Sequence, residues 1–204
     1  YTGPHDRPLR KYPEVALTIA AVGSAYENGY KVTASHEGTN PYSGWEAFDA
    51  NGDLVGWHSN DGSGSVIAYN GTDGLYSGTT RLATETELGE WLGLELPEAI
   101  KLIDVQLVSQ DYGPVVNTID NFIVYAKKQP GDTWTSLGVF TGKAVFQTSA
   151  AGVTVTVNAV DYYKFFAIVA TKRNGGGTNT GVSIRDLAFY GHEEGDSSLD
   201  TTLK

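Results

Sequence analysis

The sequence predicts an all-β protein that folds as an antiparallel jelly-roll β-sandwich with long loops. About nine short segments of apolar or alternating character recur at intervals of roughly 8–20 residues, which is typical of sandwiches and jelly rolls. No window of about 11 residues has the apolar period of a helix. The 204 residues include 25 Gly, 12 Tyr and 4 Trp, a mixture of turn formers and aromatic side chains that suits strands joined by loops.

Length and composition exclude several classes of function. The chain is long enough for one all-β domain with a core of its own. Its net charge of −10 and pI near 4.7 argue against nucleic-acid binding, which needs clustered Lys and Arg. There is no Cys, which excludes disulfides and thiolate metal sites. No apolar run is long enough to predict a membrane span.

The first elements are an arm and two strands. Residues 1–14 contain Pro4, Pro8 and Pro13, which favours an extended arm or linker over a packed element. The apolar segment 15–22 predicts the first strand. Segment 30–35 predicts the second, with Val32 and Ala34 on one face.

Strand patterns become stronger from residue 90 onward. Segment 90–96 alternates, with its leucines at 92, 94 and 96 on one face, and Pro97 should end it. Segment 100–109 alternates again, with Ile103, Val105 and Leu107 predicted to point inward. Further strands are predicted at 119–127, 134–140, 152–158, 162–171 and 182–190. Segment 162–171 is almost wholly apolar, so we expect it to be central and covered on both faces.

Residues 58–88 form a long insert that is dense in turn residues. Long loops in compact domains are usually functional or disordered, and the tyrosines at 69 and 76 argue against disorder. These tyrosines either form a platform for a ligand or pin the insert to the barrel, and the second alternative is slightly favoured.

The loop between Trp45 and Trp57 carries Asp49, Asn51 and Asp53 at alternate positions. Alternating oxygen-bearing side chains in a turn can converge on a hard cation, and calcium takes about 6–8 oxygen ligands. An EF-hand is excluded because position 12, counted from Asp49, is Asn60 and not Glu. Two alternatives are left: a calcium loop of another fold, or a turn rich in Asp and Asn.

Six segments together resemble the discoidin, or coagulation-factor type C, domain, which includes the family 32 carbohydrate-binding modules. The match covers residues 15–193, between the arm and an acidic linker at 194–204. The resemblance implies a jelly-roll sandwich with binding loops at one end. The matching segments are Val-Thr-Ala-Ser at 32–35, Trp-Glu-Ala-Phe-Asp at 45–49, Trp-His-Ser at 57–59, 89–96, 119–126 and 182–191.

The resemblance also implies a structural calcium beneath the Ala-Phe-Asp loop. The matching positions are Ala47 and Asp49, with Asp186 on the last strand. Ala50 is inserted relative to the family pattern, and Val55-Gly56 stands where a Thr is usual. Asn51 or Asp53 would then supply a missing ligand.

The family places its sugar site on the loops near the calcium end. A sugar site needs an aromatic platform and a few planar polar groups. Trp57 and Trp91 are predicted to be core residues and not platforms. For Arg173 and Asn174, which open a Gly-rich loop, the alternative is a flexible hairpin tip. The candidates are His36, His58, Tyr69, Tyr76, Arg81, Tyr112, Asn117, Arg173, Asn174 and Asn179.

The sequence therefore predicts a non-catalytic, lectin-like carbohydrate-binding module with a structural calcium. No nucleophile elbow and no His-Glu-x-x-His motif occurs. We expect the chain to be a piece of a larger extracellular, cell-surface or virion protein, with a glycan or polysaccharide and further domains of the same polypeptide as partners. The alternative is a structural or protein-interaction module that contacts neighbouring copies in a surface fibre, array or capsid and binds no sugar.

Overall fold

The computed structural model describes residues 9–22, 25–36, 42–50, 55–59, 68–109, 118–143, 152–174 and 181–196. In these ranges the chain is all-β, with two short 3₁₀ helices at Ile19–Ala21 and Gly44–Phe48. Neither helix has the length or apolar character needed to cross a membrane. The strands are β1 (Arg10–Tyr12), β2 (Lys31–Ala34), β3 (Trp57–His58), β4 (Glu90–Val108), β5 (Ile119–Lys127), β6 (Thr135–Phe140), β7 (Val153–Thr156), β8 (Tyr163–Arg173), β9 (Ser183–Ile184) and β10 (Asp186–Glu193).

Strand β4 organises the sandwich because it pairs with four other strands. The main sheet runs β1-β10-β4-β8-β5-β6, with β2 and β7 also paired to β4. The first half of β4 pairs with β2 and β8, and the second half of β4 pairs with β10 and β7. A strand that changes partners in this way passes from one layer of a sandwich to the other. The small β3-β9 pair lies apart from this sheet.

The prediction that Pro97 ends a strand is wrong. The two predicted strands, 90–96 and 100–109, form the continuous β4. The pairing of β4 with β8 shifts register between Glu95 and Ile100, and Pro97 lies inside that shift. Proline has no N–H for the ladder, so a register irregularity is a place where a strand tolerates it.

The inward position predicted for Ile103 is also wrong. Leu102 is fully buried, whereas Ile103 is half-buried. The pairing with β10 passes from Asp104–Tyr190 directly to Leu102–Gly191, so Ile103 is the extra residue of a β-bulge. A bulge inverts the alternation beyond it, and a strict period-2 reading therefore assigns the wrong residue to the core.

Residues near both ends of the described part of the chain are packed more closely than predicted. Segment 15–22 is not a strand, and its middle forms the first 3₁₀ helix, capped by the Thr18 side chain at Ala20 N. Residues 10–12, predicted as part of an arm, form β1 against β10, and Tyr12 is buried. Beyond β10, the buried Asp196 forms an ion pair with Arg10 at 3.2 Å.

Strand β8 lies between β4 and β5 and is covered on both faces, as predicted. Phe166, Ile168 and Ala170 belong to the main core, while Ala167 and Val169 belong to a smaller cluster on the opposite, outer face. Leu82 and the half-buried side chains of two tryptophans, Trp91 and Trp134, complete that smaller cluster. The part of the insert that carries Leu82 therefore covers one region of the outer face.

Candidate functional site

Several strands bring their ends together at one end of the sandwich, which we call the loop end. The end of β2 lies beside the start of β4, since Ser35 N donates to Trp91 O. The end of β8 lies beside the start of β5, since Asn174 N donates to Thr118 O. These strand ends therefore lie at the same end of the sheet.

Trp57 anchors the loop end from below. Its side chain is fully buried in the main core, which confirms the prediction that it is a core residue. Its indole Nε1 donates to the carbonyl oxygen of His36 at 2.8 Å. This bond fixes the end of β2 to β3, the strand that also carries His58.

His58 forms an aromatic pair with Tyr42. The two ring centroids are 5.1 Å apart at an interplanar angle of 45°, and His58 N donates to Tyr42 O. Both side chains are half-buried. Tyr42 was not among the predicted site residues, although an aromatic residue directly after Asn-Pro at 40–41, a pair that is typical of turns, was a usable signal.

His36 contributes a polar ring atom to the same end. The side chain is half-buried, and its Nε2 atom is buried with no hydrogen-bond partner among the described residues. Buried polar atoms are normally satisfied by protein, water or ligand. The polar partner of this imidazole atom is therefore not among the described residues.

The structure contradicts a direct ligand contact by Arg173. Its side chain is 0% exposed, and burial lowers the pKa of its guanidinium below the usual value. Its backbone N–H donates to Gly74 O at 2.9 Å, so Arg173 joins the insert to the end of β8. Asn174, the next residue, is half-buried and is better placed to contact a ligand.

Tyr69 is likewise a structural residue and not an exposed platform. It is fully buried, and its hydroxyl donates to Ala170 O at 2.9 Å. Burial raises its pKa well above the usual value. The half-buried Tyr76 packs edge-on against it at 5.0 Å between centroids and donates to Glu90 Oε1 at 2.8 Å. These contacts support the alternative in which the tyrosines pin the insert to the barrel.

Of the remaining sugar-site candidates, the structure describes only Arg81. Arg81 is exposed and forms a bridge with Leu88 within the insert. Trp91, which was predicted to be a core residue and not a candidate, is half-buried and packs against the outer cluster. Three candidates lie outside the described residues: Tyr112, Asn117 and Asn179.

The predicted calcium loop lies against the last strand. The 3₁₀ helix Gly44–Phe48 contacts β10, and a cleft of about 150 Å³ between them is lined by Ala47, Ala50 and Asp186 among others. Asp49 ends the 3₁₀ helix and is 8% exposed. The turn that carries one carboxylate therefore meets the strand that carries the other.

The fit of a cation to this cleft is partial. Arg185 Nε donates to Asp186 Oδ2 at 2.8 Å, and Lys11 also lines the cleft, so positive charge is already present. No group of three or more His, Asp and Glu in the described ranges could hold a metal ion. Calcium also accepts backbone carbonyl oxygens. Asn51 and Asp53, the other predicted ligands, lie outside the described residues.

Comparison with known proteins identifies the fold. No protein-family model and no curated protein matches the sequence. Among solved structures, the family 32 carbohydrate-binding module of Clostridium perfringens NanJ in complex with galactose is similar, with TM-score 0.54 and 16% identity over 80% of this chain and 94% of that one.

Two further solved structures have the same architecture. One is the module CBM32-3 of a family 31 glycoside hydrolase from C. perfringens, with TM-score 0.56 and 16% identity over 81% of this chain and 92% of that one. The other is an F5/8 type C domain from Bacteroides fragilis, with TM-score 0.53 and 14% identity over 81% of this chain and 93% of that one. The chain therefore has the discoidin-like jelly-roll fold that family 32 carbohydrate-binding modules and F5/8 type C domains share.

Proposed function

We propose that the protein is a non-catalytic carbohydrate-binding module whose sugar site lies at the loop end. The observation that carries this proposal is the half-buried Tyr42–His58 pair, joined through Trp57 to His36. It places an aromatic ring beside the imidazole of His58, with the backbone of His36 bonded to the tryptophan that precedes His58.

This arrangement matches the chemistry of a sugar. A pyranose ring has an apolar face, which packs on an aromatic ring, and hydroxyls, which need donors and acceptors at its edge. A neutral imidazole offers one donor and one acceptor, and an amide such as that of Asn174 offers both. Sites of this kind are shallow, so single-site affinity is weak and several copies in one parent protein raise it.

The comparisons support the proposal through the fold. The NanJ module is a structure in complex with galactose, and a second C. perfringens module, CBM32-5, is in complex with GalNAc-β-1,3-galactose. At 15–16% identity these likenesses concern the fold, so the assignment of a site in this chain rests on its own residues.

A structural calcium beneath the loop end is part of the proposal. Asp49 and Asp186 would supply carboxylate oxygens, the Ala47 carbonyl another, and Asn51 or Asp53 the remainder. The ion would brace the turn against β10 without touching the sugar.

The proposed setting is a larger extracellular, cell-surface or virion protein. In that setting the module would tether its parent to a glycan or polysaccharide. One module of the same fold, CBM32-3, comes from a family 31 glycoside hydrolase of C. perfringens. The chemistry would then belong to other domains of the same polypeptide.

A glycan-array screen tests the proposed function. The wild-type chain should bind at least one neutral glycan saturably. His58→Ala should lose about tenfold or more in affinity, while Glu98→Ala, at an exposed position further along β4, should bind as wild type does. Absence of binding to every glycan would overturn the proposal and favour a structural or protein-interaction module.

A further inference from the structure

Four side chains lie side by side in one row on the outer face of the sheet, away from the proposed sugar site at the loop end. Lys31 pairs with Glu95, Glu95 with Phe165, and Phe165 with Lys127. Their strand neighbours, including Leu94 and Phe166, are in the main core. Because side chains alternate across a strand, this row of four faces outward.

Two aromatic residues from loops, Tyr26 and Trp134, form a cleft together with this row. Tyr26, which is 55% exposed, and the half-buried Trp134 line a cavity of about 240 Å³ together with the row. Leu82 of the insert packs instead in the outer cluster with Ile123, Tyr125, Ala167 and Val169.

Small residues occupy the row of the sheet beside this cleft. In the next row across the sheet, Thr33 pairs with Gly93, and Gly93 pairs with Ala167. A Cβ atom added at Gly93 would lie 3.1 Å from Thr33 Oγ1, so the glycine preserves space beside the hydroxyl. Of these three small residues, Thr33 lines the cleft itself, together with the apolar side chains of Leu94, Phe165 and Phe166.

The polar groups of the cleft are held in place by the aromatic ones. Tyr26 donates its hydroxyl to Glu95 Oε2 at 2.9 Å. Lys31 Nζ lies 5.6 Å from the Tyr26 ring centroid. Lys127 Nζ lies 5.0 Å from the Trp134 centroid and donates to Pro130 O at 2.6 Å. Each ammonium is thus ordered on a ring face, and a carboxylate acceptor sits between the two.

We propose that this Tyr26–Trp134 cleft is a second saccharide site, which takes a sugar unit of a neutral oligosaccharide. Trp134 and Tyr26 supply the apolar surfaces, Lys31, Lys127 and Thr33 donate to hydroxyls, and Glu95 accepts from them. A carboxylate has about four lone-pair positions, so the bond from Tyr26 leaves capacity for hydroxyl donors. The cleft is smaller than the roughly 300–1,000 Å³ pockets of drug-sized ligands, which suits one unit of a chain that continues beyond it.

The charges of the cleft favour a neutral ligand. Two ammonium groups flank one carboxylate, so a cation meets repulsion from both lysines, and the attraction of an anion to the lysines is partly cancelled by its repulsion from Glu95. A polyol that both donates and accepts hydrogen bonds uses all three groups. The site lies on the sheet face and not at the loop end, so it stands independently of the proposed function.

Titration of the full chain, followed by the four tryptophan indole N–H signals in ¹⁵N-labelled protein, tests this proposal. The probes are β-1,4-linked hexasaccharides of glucose, xylose, mannose and galactose. At least one should shift the Trp134 signal saturably. Trp134→Ala should weaken that binding about tenfold, and Glu95→Gln, which preserves shape, by about threefold. Trp91→Phe, at the half-buried tryptophan outside the cleft, should leave the affinity unchanged.

Two results overturn the proposal: a Trp134 signal that responds to none of the four probes, and a binding constant unchanged in both Trp134→Ala and Glu95→Gln. Repeating the titration in His58→Ala separates the two sites. Persistence of the Trp134 response in that variant supports an independent cleft. Loop-end binding on the array without any Trp134 response refutes only the cleft, and a Trp134 response without loop-end binding refutes only the proposed function.

Discussion

The buried hydroxyl of Tyr69 donates a hydrogen bond to the carbonyl oxygen of Ala170 at 2.9 Å. The same hydroxyl accepts from Glu90 N at 3.3 Å. One side chain of the insert therefore bonds to the start of β4 and to β8, the central strand. This relationship explains how a segment dense in turn residues is ordered on the barrel.

Replacing Tyr69 with Phe should lower the free energy of unfolding by about 1–3 kcal/mol, because Glu90 N loses an acceptor in a buried setting. Urea unfolding measures the change. Tyr26→Phe, at an exposed tyrosine that also donates one hydrogen bond, is the matched control and should cost about 0.5 kcal/mol or less. Equal losses in the two variants would contradict the pinning role of Tyr69.

Gly74 should tolerate no side chain. Its φ is +74°, and an added Cβ would lie 2.1 Å from Arg173 O, so Gly74→Ala combines backbone strain with a clash. We expect a loss of about 1–3 kcal/mol in unfolding free energy. Gly131 has no atom within 4 Å of an added Cβ, and Gly131→Ala should change stability by about 0.5 kcal/mol or less. A neutral Gly74→Ala would show that the insert can shift away from β8.

Tyr76 should make the protein sensitive to alkali. Burial raises the pKa of its hydroxyl to about 12, above the usual value near 10. The folded state then holds this proton more tightly than the unfolded state, so the contribution is complete below about pH 10 and is lost as pH rises toward 12. The free energy of unfolding should decrease more between pH 9 and pH 11.5 in the wild type than in Tyr76→Phe. Parallel losses would contradict this.

The proposed calcium site should be visible in thermal stability. A chelator should lower the melting temperature by a few degrees, and added calcium should restore it, because an ion bound only by the folded state stabilises that state. Asp49→Asn and Asp186→Asn should each reduce this dependence, while Glu98→Gln should keep it. If neither the chelator nor added calcium changes the melting temperature, the calcium site is contradicted, and the loop is a turn rich in Asp and Asn.

Much of the fold follows from apolar periodicity. The leucines at 92, 94 and 96 are buried together, and β5 has the predicted bounds. The errors arise where backbone geometry overrides the pattern. Ile103 is displaced by a bulge, β4 continues through Pro97 at a register shift, and segment 182–190 divides into β9 and β10 between different partners.

The candidate site was harder to predict because residue type does not give burial. Arg173 and Tyr69 have side chains with polar ends and lie in a loop-rich region of the sequence. Exposed binding residues have the same two properties. Arg173 bonds to Gly74 and Tyr69 bonds to Ala170, and in each case the two partners are far apart in the sequence. The Tyr26–Trp134 cleft depends on strand order, since four residues become neighbours only once β2, β4, β8 and β5 lie side by side.

Chemical-shift mapping of the ¹⁵N-labelled chain tests the location of the sugar site most directly. The ligand would be the glycan that binds most tightly on the array, or galactose if none does. The account predicts saturable shifts that centre on His36, Tyr42, His58 and Asn174 and that disappear in His58→Ala. Shifts absent from all four residues, or unchanged in that variant, would contradict a sugar site at the loop end.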